Sequence, residues 1–218
     1  MKKFFITFFL IVFSFAIGLN VWAHEPRFIK DDQLVVIKNS EVSQAFYGEL
    51  NGRAAYYLID LKEERDLYFQ ILVPDLPGIQ KDKTVTIDHA PELDQLPVNF
   101  AKIDPNSIVW KSFYEEYAGD NYFEGPSVKK IAEPGYYNIK ITSPDNTGKY
   151  VLVVGDKEEF PALEMAKALI TIPQLKTGFF NKPLWRSFEG KIGKYFGIGL
   201  LIAIVFIFMF HKFRQVYK

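Results

Sequence analysis

Hydrophobic positions fall into three regimes along this sequence: a long apolar run near each end and, between them, short runs of β-branched and aromatic residues separated by turn clusters. In the middle regime the runs at 33–37, 42–50, 54–60, 66–73, 83–88, 107–110, 127–132, 135–142 and 149–154 predict strands. Between them lie Asn51-Gly52, Pro74-Asp75-Leu76-Pro77-Gly78, Glu133-Pro134-Gly135 and Ser143-Pro144-Asp145-Asn146-Thr147-Gly148. Each is a turn with a mechanism, since proline presets φ and glycine or asparagine accepts φ > 0. Strands of this number and spacing predict a mainly β chain, a β-sandwich or jelly roll. In GYYNIKIT (135–142), Tyr137, Ile139 and Ile141 share one face, whereas KYVLVV (149–154) is apolar almost throughout and suits an interior strand. The stretch from His89 to Ser127 carries Pro91, Pro97 and Pro105 and reads as a long excursion over the sandwich rather than as ladder.

At Asp156 the pattern changes. Acids, Pro161 at a plausible first helical position and helix formers up to Pro173 predict a short helix with Leu163, Ala166, Leu169 and Ile170 on one face. The following segment mixes Phe179, Phe180, Trp185 and Phe188 with Lys and Arg. That composition suits headgroup depth at a membrane, and equally a segment packed back on the sandwich. The run Tyr195–Phe210 has no charge and no proline and predicts a transmembrane helix, extended to 192–213 by flanking cations that reach the interface. At the other end Lys2 and Lys3 precede an apolar run ending Val21-Trp22-Ala23, the form of a secretory signal cleaved after Ala23, with an uncleaved anchor as the alternative.

The expected layout is a signal peptide at 1–23, a β-sandwich ectodomain at 24–159, a juxtamembrane amphipathic segment at 160–191, a transmembrane helix at 192–213 and a cytoplasmic tail at 214–218. Basic residues flank the span almost equally on its two sides, so orientation rests on the signal, which places the sandwich outside the cytoplasm. The formal charge of zero conceals segregation: residues 24–190 hold all 26 acids against 19 basic residues, a net of −7. An acidic ectodomain argues against nucleic acid as a partner. Cysteine is absent, which removes disulfides, thiol catalysis and cysteine metal sites.

Phe46-Tyr47-Gly48-Glu49-Leu50-Asn51-Gly52 followed by Tyr56-Tyr57-Leu58-Ile59, with Pro134-Gly135-Tyr136-Tyr137-Asn138-Ile139 and Gly148-Lys149-Tyr150-Val151-Leu152 closing the domain, resembles the bacterial pre-peptidase C-terminal domains. That resemblance covers about 42–155 and implies a small jelly-roll β-sandwich. The whole layout also resembles single-span envelope proteins whose mature chains begin His-Glu-Pro-Arg, which implies fold and location but no reaction.

Two sets of residues carry candidate chemistry. Cleavage after Ala23 would give His24 a free α-amine beside its imidazole, a chelate suited to copper, with Asp88 and His89 as further candidate ligands. This resembles the N-terminal histidine of periplasmic copper carriers and of copper-dependent polysaccharide monooxygenases. Tyr114, Tyr117, Asp120, Asn121 and Tyr122, in a stretch that interleaves rings with acids, offer a binding face for glycan or peptide, or else plug the core beneath a loop. No Gly-x-Ser-x-Gly, phosphate-binding glycine loop or His-Glu-x-x-His is present, so no enzyme activity is expected. Gly193-x-x-x-Gly197 matches the spacing that lets two spans approach. The leading expectation is a membrane-anchored, extracytoplasmic, non-catalytic binding or assembly module without a cofactor, partnered by other envelope proteins or a second copy. The alternative is a copper-handling module.

Overall fold

The computed structural model describes residues 25–29, 34–159 and 162–216; the expected signal segment and His24 lie outside them. Eleven strands occur among the described residues. The first five are β1 (Glu25–Phe28), β2 (Val35–Ile37), β3 (Gln44–Asn51), β4 (Ala55–Leu61) and β5 (Arg65–Pro74). They are followed by β6 (Thr84–Ala90), β7 (Val98–Ile103), β8 (Lys111–Glu115), β9 (Asp120–Ala132), β10 (Gly135–Thr142) and β11 (Thr147–Val154). They form a six-stranded sheet in the order β1-β3-β11-β5-β9-β8 and a five-stranded sheet in the order β2-β4-β10-β6-β7. The chain is a β-sandwich, as its strand spacing predicts. Pairing is antiparallel except at one edge of each sheet, where β1 joins β3 and β2 joins β4 in parallel.

The core follows from the period-2 pattern. Tyr137, Ile139 and Ile141 of β10 are fully buried, and from the other sheet Phe46, Phe69, Leu152 and Val154 pack against them. β11 is apolar on both faces because both faces are covered: Leu152 and Val154 enter the inter-sheet core, while Val151 and Val153 meet Leu175, Phe179 and Phe180 on the outside. Two helices follow, α1 (Ala162–Gln174) and α2 (Lys191–Val216).

The region between His89 and Ser127 differs from the expected excursion. It contributes β7, β8 and the first half of β9, because its prolines punctuate rather than interrupt: Pro91 follows β6, Pro97 precedes β7 and Pro105 follows it. The strand expected at 107–110 is instead a turn held by Asp104, whose carboxylate accepts the Asn106 amide at 2.9 Å, and the ladder begins at Lys111. Pro126, which has no N–H to donate, falls at the register shift between β5 and β9. There Gly125 leaves room for Trp110, whose ring would lie 2.6 Å from a Cβ at that position.

The helix expected to end by Pro173 runs to Gln174 and widens into a π-turn, Leu175–Phe179, with the Phe180 amide donating to Leu175 O at 2.9 Å. The widening turns Leu175, Phe179 and Phe180 onto the six-stranded sheet. Among the described side chains of α1, Ala168 and Ile172 are buried, whereas Ala166, Leu169 and Ile170 of the expected apolar face are exposed; Leu163 lies outside the described side chains. The juxtamembrane segment thus divides. Phe179 and Phe180 pack back on the sandwich, while Trp185 and Phe188, in the 3-10 turn Leu184–Phe188, stay exposed.

Among the described residues α2 is the one helix long and apolar enough to cross a membrane, over Lys191–Phe208. Its 26 residues rise about 39 Å at about 1.5 Å each, enough for a hydrocarbon core about 30 Å thick. Ile198, Leu201, Val205, Ile207 and Phe208 are exposed around it. Gly193 is covered by its own chain, since a Cβ there would meet Ser187 O at 1.9 Å, and the small-residue face meets the 3-10 turn at that point.

Gly48 shows how tightly the core is closed. It pairs with Tyr150, whose ring lies across the space where a side chain would stand and carries its hydroxyl to Tyr57, 2.8 Å away. A Cβ at Gly48 would fall 2.3 Å from Tyr150 Oη. Gly48→Ala is therefore expected to cost about 1–3 kcal/mol, seen as a lower urea midpoint at unchanged slope.

Candidate functional site

The five residues expected to form a binding face lie on the β8–β9 hairpin, and the structure turns three of them inward. Tyr117, Asp120 and Tyr122 are buried, while Tyr114 and Asn121 are exposed, so no five-residue surface exists. The cause is the segment after α1, which lies over this hairpin. Tyr122 donates to or accepts from the Tyr47 hydroxyl at 3.0 Å and takes the Phe180 ring edge-on at a centroid distance of 5.4 Å. Burial in this layer pushes both phenols well above their ordinary range.

Asp120 is the centre of the contact. It is fully buried, and its two carboxylate oxygens each lie 2.8 Å from a lysine, Oδ2 from the equally buried Lys176 and Oδ1 from the partly exposed Lys182. Lys176 also donates to the Gly119 carbonyl at 3.0 Å. Burial pulls the Lys176 ammonium down, and the Asp120 charge opposes that pull. Beside them Glu115 folds back on the hairpin and accepts the amides of Tyr117 at 2.6 Å and Ala118 at 2.8 Å. Burial pushes its carboxyl up to about 7, against the lowering effect of those two amides.

The hairpin also receives the start of α2. The amides of Lys191 and Ile192, which have no partner within their own helix, donate to Glu116 O at 2.8 Å and Tyr117 O at 3.4 Å. The Lys191 side chain pairs with Glu116. Gly119, at φ 78°, and Gly190 cross backbone on backbone: a Cβ on Gly119 would lie 2.5 Å from Gly190 N, and one on Gly190 would lie 2.2 Å from Tyr117 O. Lys149 of β11 adds a bond to Phe179 O at 2.6 Å. The site is a clamp: one hairpin of the sandwich holds the juxtamembrane segment by a buried ion cluster and holds the apolar helix by its first turn.

Of the candidate metal ligands, His24 lies outside the described residues, and Asp88 and His89 do not converge. Asp88 and His89 are consecutive in β6 and leave opposite faces of the sheet. Asp88 accepts the Asn99 amide at 3.1 Å, while the His89 ring stacks on Tyr137 at 4.5 Å with Nε2 3.2 Å from Pro134 O. Glu25 opens β1 at the edge of the six-stranded sheet, whereas β6 belongs to the other sheet. Among the described residues no group of three or more His, Cys, Asp or Glu is placed to hold a metal ion. A cleft of about 710 Å³ lined by Arg53, Tyr56, Lys140 and Thr142 lies elsewhere, near the β3–β4 turn.

No family model matches the sequence, and no curated protein sequence matches it. Among solved structures, the chain is similar to the pre-peptidase C-terminal domain of a collagenase from Bacillus anthracis, at 15% identity and a TM-score of 0.33, over 62% of this chain and 98% of that one. It is also similar to CorA, a surface-associated copper-binding protein important in Methylomicrobium album BG8 copper acquisition, at 8% identity and a TM-score of 0.30, over 62% of this chain and 99% of that one. The domain is a β-sandwich, an assignment that rests on the two sheets described above.

Two outcomes follow from the clamp. Asp120→Asn leaves Lys176 charged and buried without its counter-ion and is expected to cost about 3–5 kcal/mol, measured by denaturant unfolding of the full chain in detergent micelles. Glu115 sets a pH dependence. Between its ordinary value of 4.5 and about 7 the folded form keeps a proton that the unfolded chain has released, so its contribution to stability falls as pH rises through that window and is level above it. Glu115→Gln should flatten the stability profile there while keeping an acceptor for the two amides.

Proposed function

We propose that this chain is a membrane-anchored, extracytoplasmic, non-catalytic module for binding or assembly, whose sandwich is held in one pose against its own anchor. The observation that carries the reading is the Asp120–Lys176–Lys182 cluster, together with the capping of the α2 amides by Glu116 and Tyr117. A passive tether needs no buried ion cluster between domain and anchor, and one this costly to desolvate supports a role in which orientation matters. The anchored reading draws on the length and exposed apolar surface of α2. The extracytoplasmic side draws on the signal-like N-terminus.

Partners in this reading are other envelope proteins or a second copy, met by surfaces of the sandwich that the clamp leaves open. The β6–β7 connection presents Leu93 and Leu96, exposed by 71% and 90%, and the cleft beside Tyr56 and Lys140 offers a recess for a ligand. Gly193 is less suited to a partner than its spacing suggests, because Ser187 and Phe188 of the same chain already occupy that face.

Protease added to intact spheroplasts, with the chain expressed at full length in a bacterial host, is expected to remove the sandwich and leave the α2 region with the membrane. Protection of the whole chain would reverse the orientation. Chemical cross-linking in the same membranes should yield a discrete larger species, and a chain that stays uncross-linked at every spacer length would remove the assembly reading.

A further inference from the structure

Inside the clamp an amine and a carboxyl group meet with no access to solvent: the side chains of Lys176 and Asp120 are both 0% exposed. Lys176 Nζ lies 2.8 Å from Asp120 Oδ2, yet Oδ2 has no hydrogen-bond partner, so the amine stands close to it without the directions a hydrogen bond needs. Nζ gives an N–H instead to Gly119 O at 3.0 Å. The second carboxyl oxygen, Oδ1, accepts from Lys182 Nζ at 2.8 Å. A carboxyl oxygen shut away from water and left unbonded needs an explanation, since nearly all buried polar groups in folded proteins are paired.

An amine held against a carboxyl group is also the reactant pair of an amide bond. In water such a pair is inert, because the amine is protonated, the acid is ionised and excess water reverses the bond. Burial changes each of these conditions. It draws the Lys176 ammonium down towards the free amine, the nucleophilic form, and it keeps water away. It also fixes the two groups in place, and well-oriented pairs of this kind react as if at about 10⁵–10⁸ M. Cγ is at most one C–O bond beyond the 2.8 Å contact, so Nζ and Cγ lie within about 4 Å, close to the roughly 3–3.5 Å from which oriented groups react.

We propose that Lys176 Nζ and Asp120 Cγ join in an amide bond, a cross-link that the folded chain makes for itself between the juxtamembrane segment and the sandwich. One proton first passes from Nζ to Oδ2, turning the ion pair into free amine and carboxylic acid. The nitrogen lone pair then attacks Cγ, and as the C–N bond forms the C=O electron pair moves onto Oδ1, where the Lys182 ammonium stabilises the charge. A second proton passes from nitrogen to Oδ2, the Cγ–Oδ2 bond breaks, and Oδ2 leaves as water while the C=O bond re-forms. Amine and acid become amide and water, with no oxidant, reductant or other co-reactant. The product accounts for the whole cluster: its N–H keeps Gly119 O, its carbonyl keeps Lys182, and the one atom without a partner is the atom that leaves. The bond closes a loop through β9, β10, β11 and α1 in a chain that has no cysteine to do so. The inference stands on the clamp and is independent of the membrane reading of α2.

The test weighs the full-length protein, purified in detergent micelles and shown to be folded by a cooperative urea transition, in a denaturing mass spectrum. Wild type is expected to be lighter by one water than the sequence that begins at its measured N-terminus. Trypsin should release a branched peptide that joins 112–129 to 168–186 and is uncut at Lys176. Lys176→Arg, which keeps a cation opposite Asp120, is expected at full mass. Lys182→Gln leaves both reacting groups in place and is expected to slow the bond about a hundredfold, the effect of removing one donor to a developing oxyanion, seen as full-mass chains that lose water on prolonged incubation. Folded wild type at full mass, with linear peptides 168–176 and 177–186, would overturn the proposal, as would a loss of water that persists in Lys176→Arg. Neither result depends on whether α2 spans a bilayer, which the protease experiment decides separately.

Discussion

Everything between the sandwich and the apolar helix depends on one buried carboxylate. Asp120 ends up out of water because the hairpin that carries it is roofed by Leu175–Phe180, and it is paired there because two lysines arrive with that roof. Neither half is stable in this form without the other. Lys176 unpaired would be a buried ammonium, and the bare hairpin would expose Tyr122 and a carboxylate facing the outer apolar surface of the sheet. The interaction is therefore a test of register, satisfied only when the juxtamembrane segment lies on the sheet in the one position that places Lys176 and Lys182 on either side of Asp120. Apolar contacts alone, such as Phe179 on Tyr47, tolerate sliding that a two-pronged ion contact does not.

The same arrangement explains which parts of the fold were legible in the sequence. The closing hairpin was readable because β10 has one face in the core and one in water, and its alternation reports that directly. The continuous apolarity of β11 marked it as interior, although not what covers its second face. β7 and β8 gave no such signal: they are edge strands, exposed along much of their length, and their prolines lie at the ends where a sheet accepts them. β1 pairs in parallel with a strand that begins some twenty positions later, a contact that no local pattern encodes.

The candidate site was half legible. Tyr114–Tyr122 stands out as an aromatic and acidic stretch, and the structure does gather a buried ion cluster there. What the stretch cannot reveal is that Asp120 faces inward, because the cations that permit this, Lys176 and Lys182, lie more than fifty residues downstream. A signal did exist: the acids at 115, 116, 120 and 124 are matched by a basic segment at 176–194 with few acids of its own, two charged stretches of opposite sign flanking aromatic residues. The glycines were similarly ambiguous. Gly119 and Gly190 are needed for a backbone crossing and Gly193 for the seat of the 3-10 turn, yet in sequence only the Gly193 and Gly197 pair forms a pattern, and that pattern points to a different use.

The crossing of Gly119 and Gly190 has a mechanical meaning. With backbone against backbone there is no side chain to bend and no spare loop to pivot, so the sandwich and the first turn of the helix move as one piece. β9 starts at that joint and its 13 residues, at about 3.4 Å each, carry the far end of the sheet about 40 Å away. A change of about 10° in the tilt of the helix, well inside the range that spans adopt as bilayer thickness varies, would sweep that far end through about 7 Å. In the anchored state proposed for it, the domain would be a rigid pointer, and the thickness of the lipid beneath it would set where it points.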